Sequence, residues 1–136
     1  MWFLCKDIRK IYGSTAINIV VHYRKGDSGW AKSNLNYYLT IKEMIQLESS
    51  TVIVVTDSPI DAQEFFLNLK NVQIVSSKCA LEDFRIMLSA SKLYCAPSTF
   101  SWWAAHSLEK NAEIIMPRIL ENSLGIYLDS NKLTII

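Results

Sequence analysis

Apolar residues along the chain recur with two alternating periods, and each change of period marks an element. Over 1–12, Phe3, Leu4, Ile8 and Ile11 fall at helical spacing with charges at 6, 7, 9 and 10 between them, which predicts a short amphipathic helix ended by Gly13. Residues 17–24 are β-branched and mostly apolar, the mark of a buried strand. Lys25 to Ser33, with two glycines, reads as a loop. Leu35, Tyr38, Leu39, Lys42 and Ile45 set a helical stripe over 34–48, and Thr51 to Thr56 is a second buried strand. Asp57-Ser58-Pro59 then opens a helix, because serine caps and proline suits the first turn. Residues 72–75 read as a short strand, and 80–90 as a helix opened by Glu82 and Asp83, acids that favour a helix N-terminus. A strand at 92–96 runs through Pro97-Ser98-Thr99 into a helix over 100–109, and Ile114-Ile115-Met116 is a strand stopped by Pro117. The remainder, 118–136, is weakly patterned, with at most a short strand at 132–136.

Strands alternating with helices predict an α/β chain: a Rossmann-like parallel sheet with helices on both faces. Ligands of such sheets bind beyond the carboxyl ends of the strands. The polar residues collect at those ends: Arg24 to Asp27, Thr56 and Asp57, and Ser98 to Ser101.

Length and composition narrow the picture further. A chain of 136 residues, half apolar and a fifth charged, suits one globular domain over 1–136. Fourteen Lys and Arg against 13 Asp and Glu leave a net charge of +1, so no global field favours nucleic acid and an anion must be held by a local site. Cys5, Cys79 and Cys95 are odd in number and unrelated in spacing, which argues against a disulfide framework or a zinc site and for reduced thiols. The apolar start, Met1 to Cys5, is broken at once by Lys6 and Asp7, too soon for a signal peptide or a membrane span.

Four constellations carry possible chemistry. In His22-Tyr23-Arg24-Lys25-Gly26-Asp27, the strand period points His22 and Arg24 to one face and Val21 and Tyr23 to the other. A histidine and an arginine together at a strand end suit an anion, since the guanidinium fork bonds phosphate oxygens in pairs. The competing reading is an edge strand with solvated charges and an Arg24–Asp27 pair. Gly26-Asp27-Ser28-Gly29 matches the nucleophile loop of trypsin-like proteases, but the chain is too short for a double barrel and its pattern is α/β. In Ser98 to Ala105, a hydroxyl-rich turn meets a helix start, where free N–H groups and a partial positive charge favour phosphate. Capping needs one hydroxyl, and Ser98, Thr99 and Ser101 supply three. Thr56-Asp57 places an acid at a strand end, suited to ribose, base or proton transfer, or simply to capping the helix before Pro59. Asp83 reads by itself as a first-turn acid, His106 as a helix-surface imidazole and Cys79 as a loop thiol.

These segments together resemble a known family. His22-Tyr23-Arg24-Lys25-Gly26-Asp27 resembles the His-x-Arg-Arg-x-Asp motif of the α-1,2-fucosyltransferases, glycosyltransferase family 11. Val54-Val55-Thr56-Asp57 resembles its Phe-Ser-Asp-Asp strand end. Asp83 to Ser89 resembles its Asp-x-x-x-Met-Ser helix. Ser98-Thr99-Phe100-Ser101-Trp102-Trp103-Ala104-Ala105 closely resembles its Ser-Thr-Phe-Ser-Trp-Trp-Gly/Ala-Ala block. Order and spacing fit across residues 17–117. Lys25 departs from the second arginine and loses its fork. Thr56-Asp57-Ser58 keeps one acid where the family often has two.

The resemblance implies one half of a glycosyltransferase B-type fold, the C-terminal donor-binding domain, with the family's N-terminal domain absent. It implies inverting transfer of fucose from GDP-β-L-fucose to a sugar hydroxyl of a galactoside-type acceptor, with no bound metal and no other cofactor. Carried over by position, Arg24 holds the diphosphate, with Lys25 beside it. Ser98, Thr99 and Ser101 face phosphate, Asp83 reads guanine, and Thr56 and Asp57 line the donor site. His22 lies beside the nucleotide or the reacting centre. His22 and Asp27 are alternative proton acceptors, with Arg24 as the third catalytic candidate. Fixed donors on the departing GDP matter most where no metal is present, at about 3–4 kcal/mol for one such donor. The alternative is a donor-domain remnant that binds GDP or a GDP-sugar without transfer. Expected partners are the nucleotide-sugar donor and a glycan acceptor, not nucleic acid. A homodimer, or association through the surface of the missing domain, is the further expectation. The expected location is the cytoplasm, with peripheral association at the cytoplasmic membrane as the alternative.

Overall fold

A computed structural model describes residues 18–25, 34–109, 111–128 and 132–136. The predicted helix over 1–12, the loop from 26 to 33, Cys5 and Asp27 lie outside these residues. Among them the chain forms β1 (Ile19–Tyr23), α1 (Leu35–Gln46), β2 (Val52–Thr56), α2 (Pro59–Phe65), β3 (Val72–Val75), α3 (Ala80–Leu88), β4 (Lys92–Tyr94), α4 (Thr99–Ser107), β5 (Glu113–Met116), α5 (Arg118–Leu124) and β6 (Leu133–Ile135). All strand pairings are parallel and the order is β3-β2-β1-β4-β5-β6, a Rossmann-like α/β fold.

Burial explains the order. Every residue of β1 is buried, and its Ile-Val-Val start suits a strand with neighbours on both sides and helices on both faces. The outer strands β3 and β6 are only partly covered. Alternation along β1 splits the core in two. Ile19, Val21 and Tyr23 join Tyr37, Tyr38, Ile41 and Ile45 of α1 and Ala62 of α2 on one face. Val20 joins Met87 of α3, Ala104 and Ala105 of α4, and Leu120 of α5 on the other. The even positions thus carry His22 to the face of α3 and α4.

The helix α5 was not expected from the pattern. Its seven residues end at Gly125, whose φ of 72° is a conformation that side chains resist. A Cβ there would also sit 3.3 Å from the Tyr127 hydroxyl. The Gly125 carbonyl accepts the indole N–H of Trp102 at 2.9 Å, tying this end to α4. The short strand expected at 132–136 is β6. No helix among the described residues is long and apolar enough to cross a membrane.

Candidate functional site: a crevice where the strand order reverses

The chain leaves β1 for β2 and β3 on one side, then crosses over to β4 on the other. Neighbouring connections therefore depart in opposite directions above β1 and β4, which leaves a crevice at their carboxyl ends. Register deepens it. β1 pairs with β4 only as far as Val21 and Tyr94, while it stays paired with β2 through Tyr23 and Thr56. His22 and Arg24 lie where β1 has lost its neighbour on the β4 side. A cavity of about 190 Å³ opens there, lined by His22, Arg24, Asp57, Ala80, Asp83 and Phe100.

Each lining group is positioned by a different element. His22 is 5 % exposed, and its Nδ1 lies 2.8 Å from the Ser101 hydroxyl. The Phe100 ring meets the imidazole edge-on at 5.8 Å. Burial first, and then the nearby Arg24 charge, lower the His22 pKa to about 3, so the ring is neutral at ordinary pH. Arg24 is fixed at its backbone, where its N–H donates to the Tyr38 hydroxyl at 3.1 Å and its carbonyl accepts from the same hydroxyl at 3.3 Å. Its guanidinium is looser. Nε lies 3.8 Å from Asp57 Oδ2, an ion pair beyond hydrogen-bond reach, and Nε is buried with no hydrogen-bond partner. A buried donor left unmet costs about 1–3 kcal/mol, so Arg24 is primed for an acceptor. Asp83, in the first turn of α3, accepts from the Ser77 hydroxyl at 2.6 Å, and that hydroxyl accepts from Cys79 N–H at 3.1 Å.

The expected residues divide into three groups. His22, Arg24, Asp57 and Asp83 come together in the cavity. Lys25, Thr56, Ser98, Thr99 and Ser101 do not line it. Lys25 instead binds Asp61 at 2.7 Å and borders a shallower hollow on the opposite face of the sheet, with Tyr23, Lys42 and Phe65. Thr56 is buried, and its hydroxyl accepts from Ser58 N–H at 2.9 Å. Ser98 is consumed in capping α4, where it accepts from Ser101 N–H at 3.2 Å. Thr99 is exposed at the helix start. Ser101 has no exposure at all; it faces inward to His22 and accepts from Ala96 N–H at 2.8 Å, which corrects the expectation that it faces phosphate. Asp27 lies outside the described residues; among those described, an acid beside Arg24 is Asp57.

Ala80, Phe100 and Ser77 were not singled out from the sequence. Ser77 is placed by a turn with no sequence motif, and Phe100 stood in the sequence only as a member of the Ser98–Ala105 block. His106 is more than a surface imidazole: it stacks on Trp102 at 3.9 Å, and its Nε2 accepts from Tyr127 N–H at 3.2 Å. The Cys95 thiol is buried and pushed up to about 12 by that burial, which makes it inert. Among the described residues, no cluster of three metal-ligating side chains is placed to hold an ion.

The electrostatics select the ligand chemistry. One guanidinium faces two carboxylates, and α3 and α4 each direct an N-terminus toward this end of the sheet, worth roughly half a positive charge apiece. The sum is near zero. The cavity therefore discriminates by position: a donor at Arg24 beside the neutral His22 ring, and acceptors at Asp57 and Asp83.

The chain resembles a solved structure, a ribokinase-like superfamily protein from Enterococcus faecalis V583, with a TM-score of 0.60 at 10% identity. The match covers 96% of this chain and 51% of that one, so this chain spans about half the length of its structural neighbour. At that identity the likeness concerns the fold alone. No family model and no curated protein matches the sequence.

Proposed function

We propose that the crevice is the donor site of a fucosyltransferase-like glycosyltransferase and that it binds the nucleotide of a GDP-sugar. The observation that carries this reading is Arg24. It is an anchored arginine with an unmet buried donor, beside a neutral histidine, at the point where parallel sheets of this order bind ligands. The diphosphate lies on Arg24 and His22. Asp83, an acceptor held by Ser77, suits the N–H groups of guanine. A cavity of about 190 Å³ takes only part of a nucleotide-sugar; small-ligand sites run to about 300–1,000 Å³. The sugar therefore lies across the open mouth. In this reading the chain is the donor-binding half of a glycosyltransferase B-type fold, and the reaction is inverting transfer of fucose to a galactoside hydroxyl.

Calorimetric titration with GDP tests the reading. Saturable binding is expected, weakened at least about tenfold by Arg24→Ala, because hydrogen bonds to charged groups contribute about 1.5–3 kcal/mol each. No heat at saturating GDP would remove the donor site and the fucosyltransferase reading with it.

A second reading is binding without transfer, favoured by one observation. Among the described residues, each candidate proton acceptor in the cavity already has a partner. His22 Nδ1 is bonded to Ser101, Asp57 Oδ1 accepts from the Ser58 hydroxyl at 3.2 Å and Asp83 Oδ1 accepts from Ser77. Negligible fucose release from GDP-β-L-fucose to galactosides by this chain, together with GDP binding, is the outcome this reading expects.

A further inference from the structure

Ser101 lies outside the cavity, completely buried, yet it bonds the one imidazole that lines it. The hydroxyl has one proton and two lone pairs. Ala96 N–H donates to one lone pair at 2.8 Å. Among the described residues, the only acceptor within hydrogen-bond reach of the hydroxyl proton is His22 Nδ1, also at 2.8 Å. If Nδ1 carried the imidazole proton, the Ser101 hydroxyl would accept twice and its own proton would be buried without a partner. That arrangement is disfavoured by about tenfold or more. An imidazolium would suffer the same defect, with the Arg24 guanidinium close by as well.

We infer that Ser101 is a positioning residue that acts through His22: by donating to Nδ1 it holds the ring as the neutral Nε2–H tautomer, which makes His22 a fixed hydrogen-bond donor and not a proton acceptor. Among the described residues nothing bonds Nε2. Its role toward a phosphate oxygen rests on the GDP-site reading; the tautomer itself does not. The charged groups sharing the cavity are Arg24 from the end of β1, Asp57 after β2 and Asp83 from α3. α4 contributes Phe100 and Ser101, both uncharged. A neutral donor suits this setting. It offers an N–H to an anion without a second full charge beside Arg24, and it stays available as pH changes.

The test is proton–nitrogen correlation spectroscopy of the full chain, nitrogen-labelled at its two histidines, with His22 assigned by loss of its signal in His22→Asn. The wild type is expected to show the Nε2-protonated pattern, unchanged from about pH 8 to about pH 5, while a free histidine titrates in that range. Ser101→Ala is expected to give mixed tautomers and GDP affinity weakened about two- to tenfold, the span of one lost neutral hydrogen bond. An Nδ1-protonated wild type, or a His22 that titrates between these limits, overturns the proposal. So does a folded Ser101→Ala that keeps the wild-type pattern. If Ser101→Ala does not fold, the wild-type spectrum alone decides. Absence of GDP binding to the wild type would remove the donor-site reading and leave the tautomer assignment standing on its spectrum.

Discussion

His22 carries two consequences of its burial. The first is the fixed ring already described. The second is a dependence of stability on pH. In the unfolded chain a histidine titrates near its ordinary value of 6.5, whereas in the fold it is held at about 3. Between those values the unfolded chain binds a proton that the folded one refuses. Its contribution to stability is therefore whole above about pH 6.5 and is lost as pH falls toward 3, at about 1.4 kcal/mol for each pH unit. His22→Asn, which can still meet Ser101, removes that titration. Urea unfolding between pH 7 and pH 4.5 should show a steeper acid loss for wild type than for His22→Asn, and parallel profiles would contradict the buried neutral ring. At this scale the strand period was informative: it put His22 and Arg24 on one face, and both reach the same cavity. It could not show which way Ser101 turns, because that depends on how α4 is rotated against the sheet.

The elements behave as their ends dictate. α4 begins where Ser98 accepts from Ser101 N–H, and its C=O accepts from Trp102 N–H at 3.1 Å. Replacing a capping serine by alanine costs about 1 kcal/mol. Ser98→Ala should therefore lower stability by about that amount, while GDP affinity stays within about threefold of wild type, because the cap lies outside the cavity. A loss of binding much larger than the loss of stability would return Ser98 to the site. The three hydroxyls at this helix start were expected to exceed what capping needs. In the fold they serve one cap, one buried bond to His22 and one exposed position. Strong patterns were legible at this scale: β3 spans the predicted 72–75, and α3 starts at Ala80 as expected. The helix α5 escaped notice because seven residues carry too little periodicity, and the contacts that hold it, Leu120 in the core and Gly125 to Trp102, come from distant parts of the chain.

For the whole molecule, the decisive feature is the strand order. β1 and β4 are neighbours although two strands and three helices separate them in sequence, and that adjacency brings His22 to Ser101 and Arg24 to Asp83. A ligand that binds only the folded crevice must stabilise the entire chain. GDP at a hundred times its dissociation constant adds about 2.7 kcal/mol, which raises the thermal midpoint by on the order of 10 °C in a domain of this size. Arg24→Ala should remove the rise. An unchanged melting curve for the wild type would mean that GDP does not find the crevice.

The sequence by itself determined the α/β class, the parallel sheet covered on both faces, and the strand ends at which polar groups gather. These follow from local periodicity and turn chemistry, which neighbouring residues carry among themselves. Only the tertiary structure decided which of those polar groups face the cavity. The sequence offered Arg24 as the holder of the diphosphate, Lys25 as a cation beside it and Ser101 as a phosphate-facing hydroxyl, all near strand ends. Folding sent Lys25 to Asp61 on the opposite face, buried Ser101 beneath His22, and left Arg24 in the crevice with a donor unmet. Strand alternation already turned Lys25 away from Arg24; the rotation of α4 that buries Ser101 is set by packing against elements far away in sequence, and no local pattern encodes it.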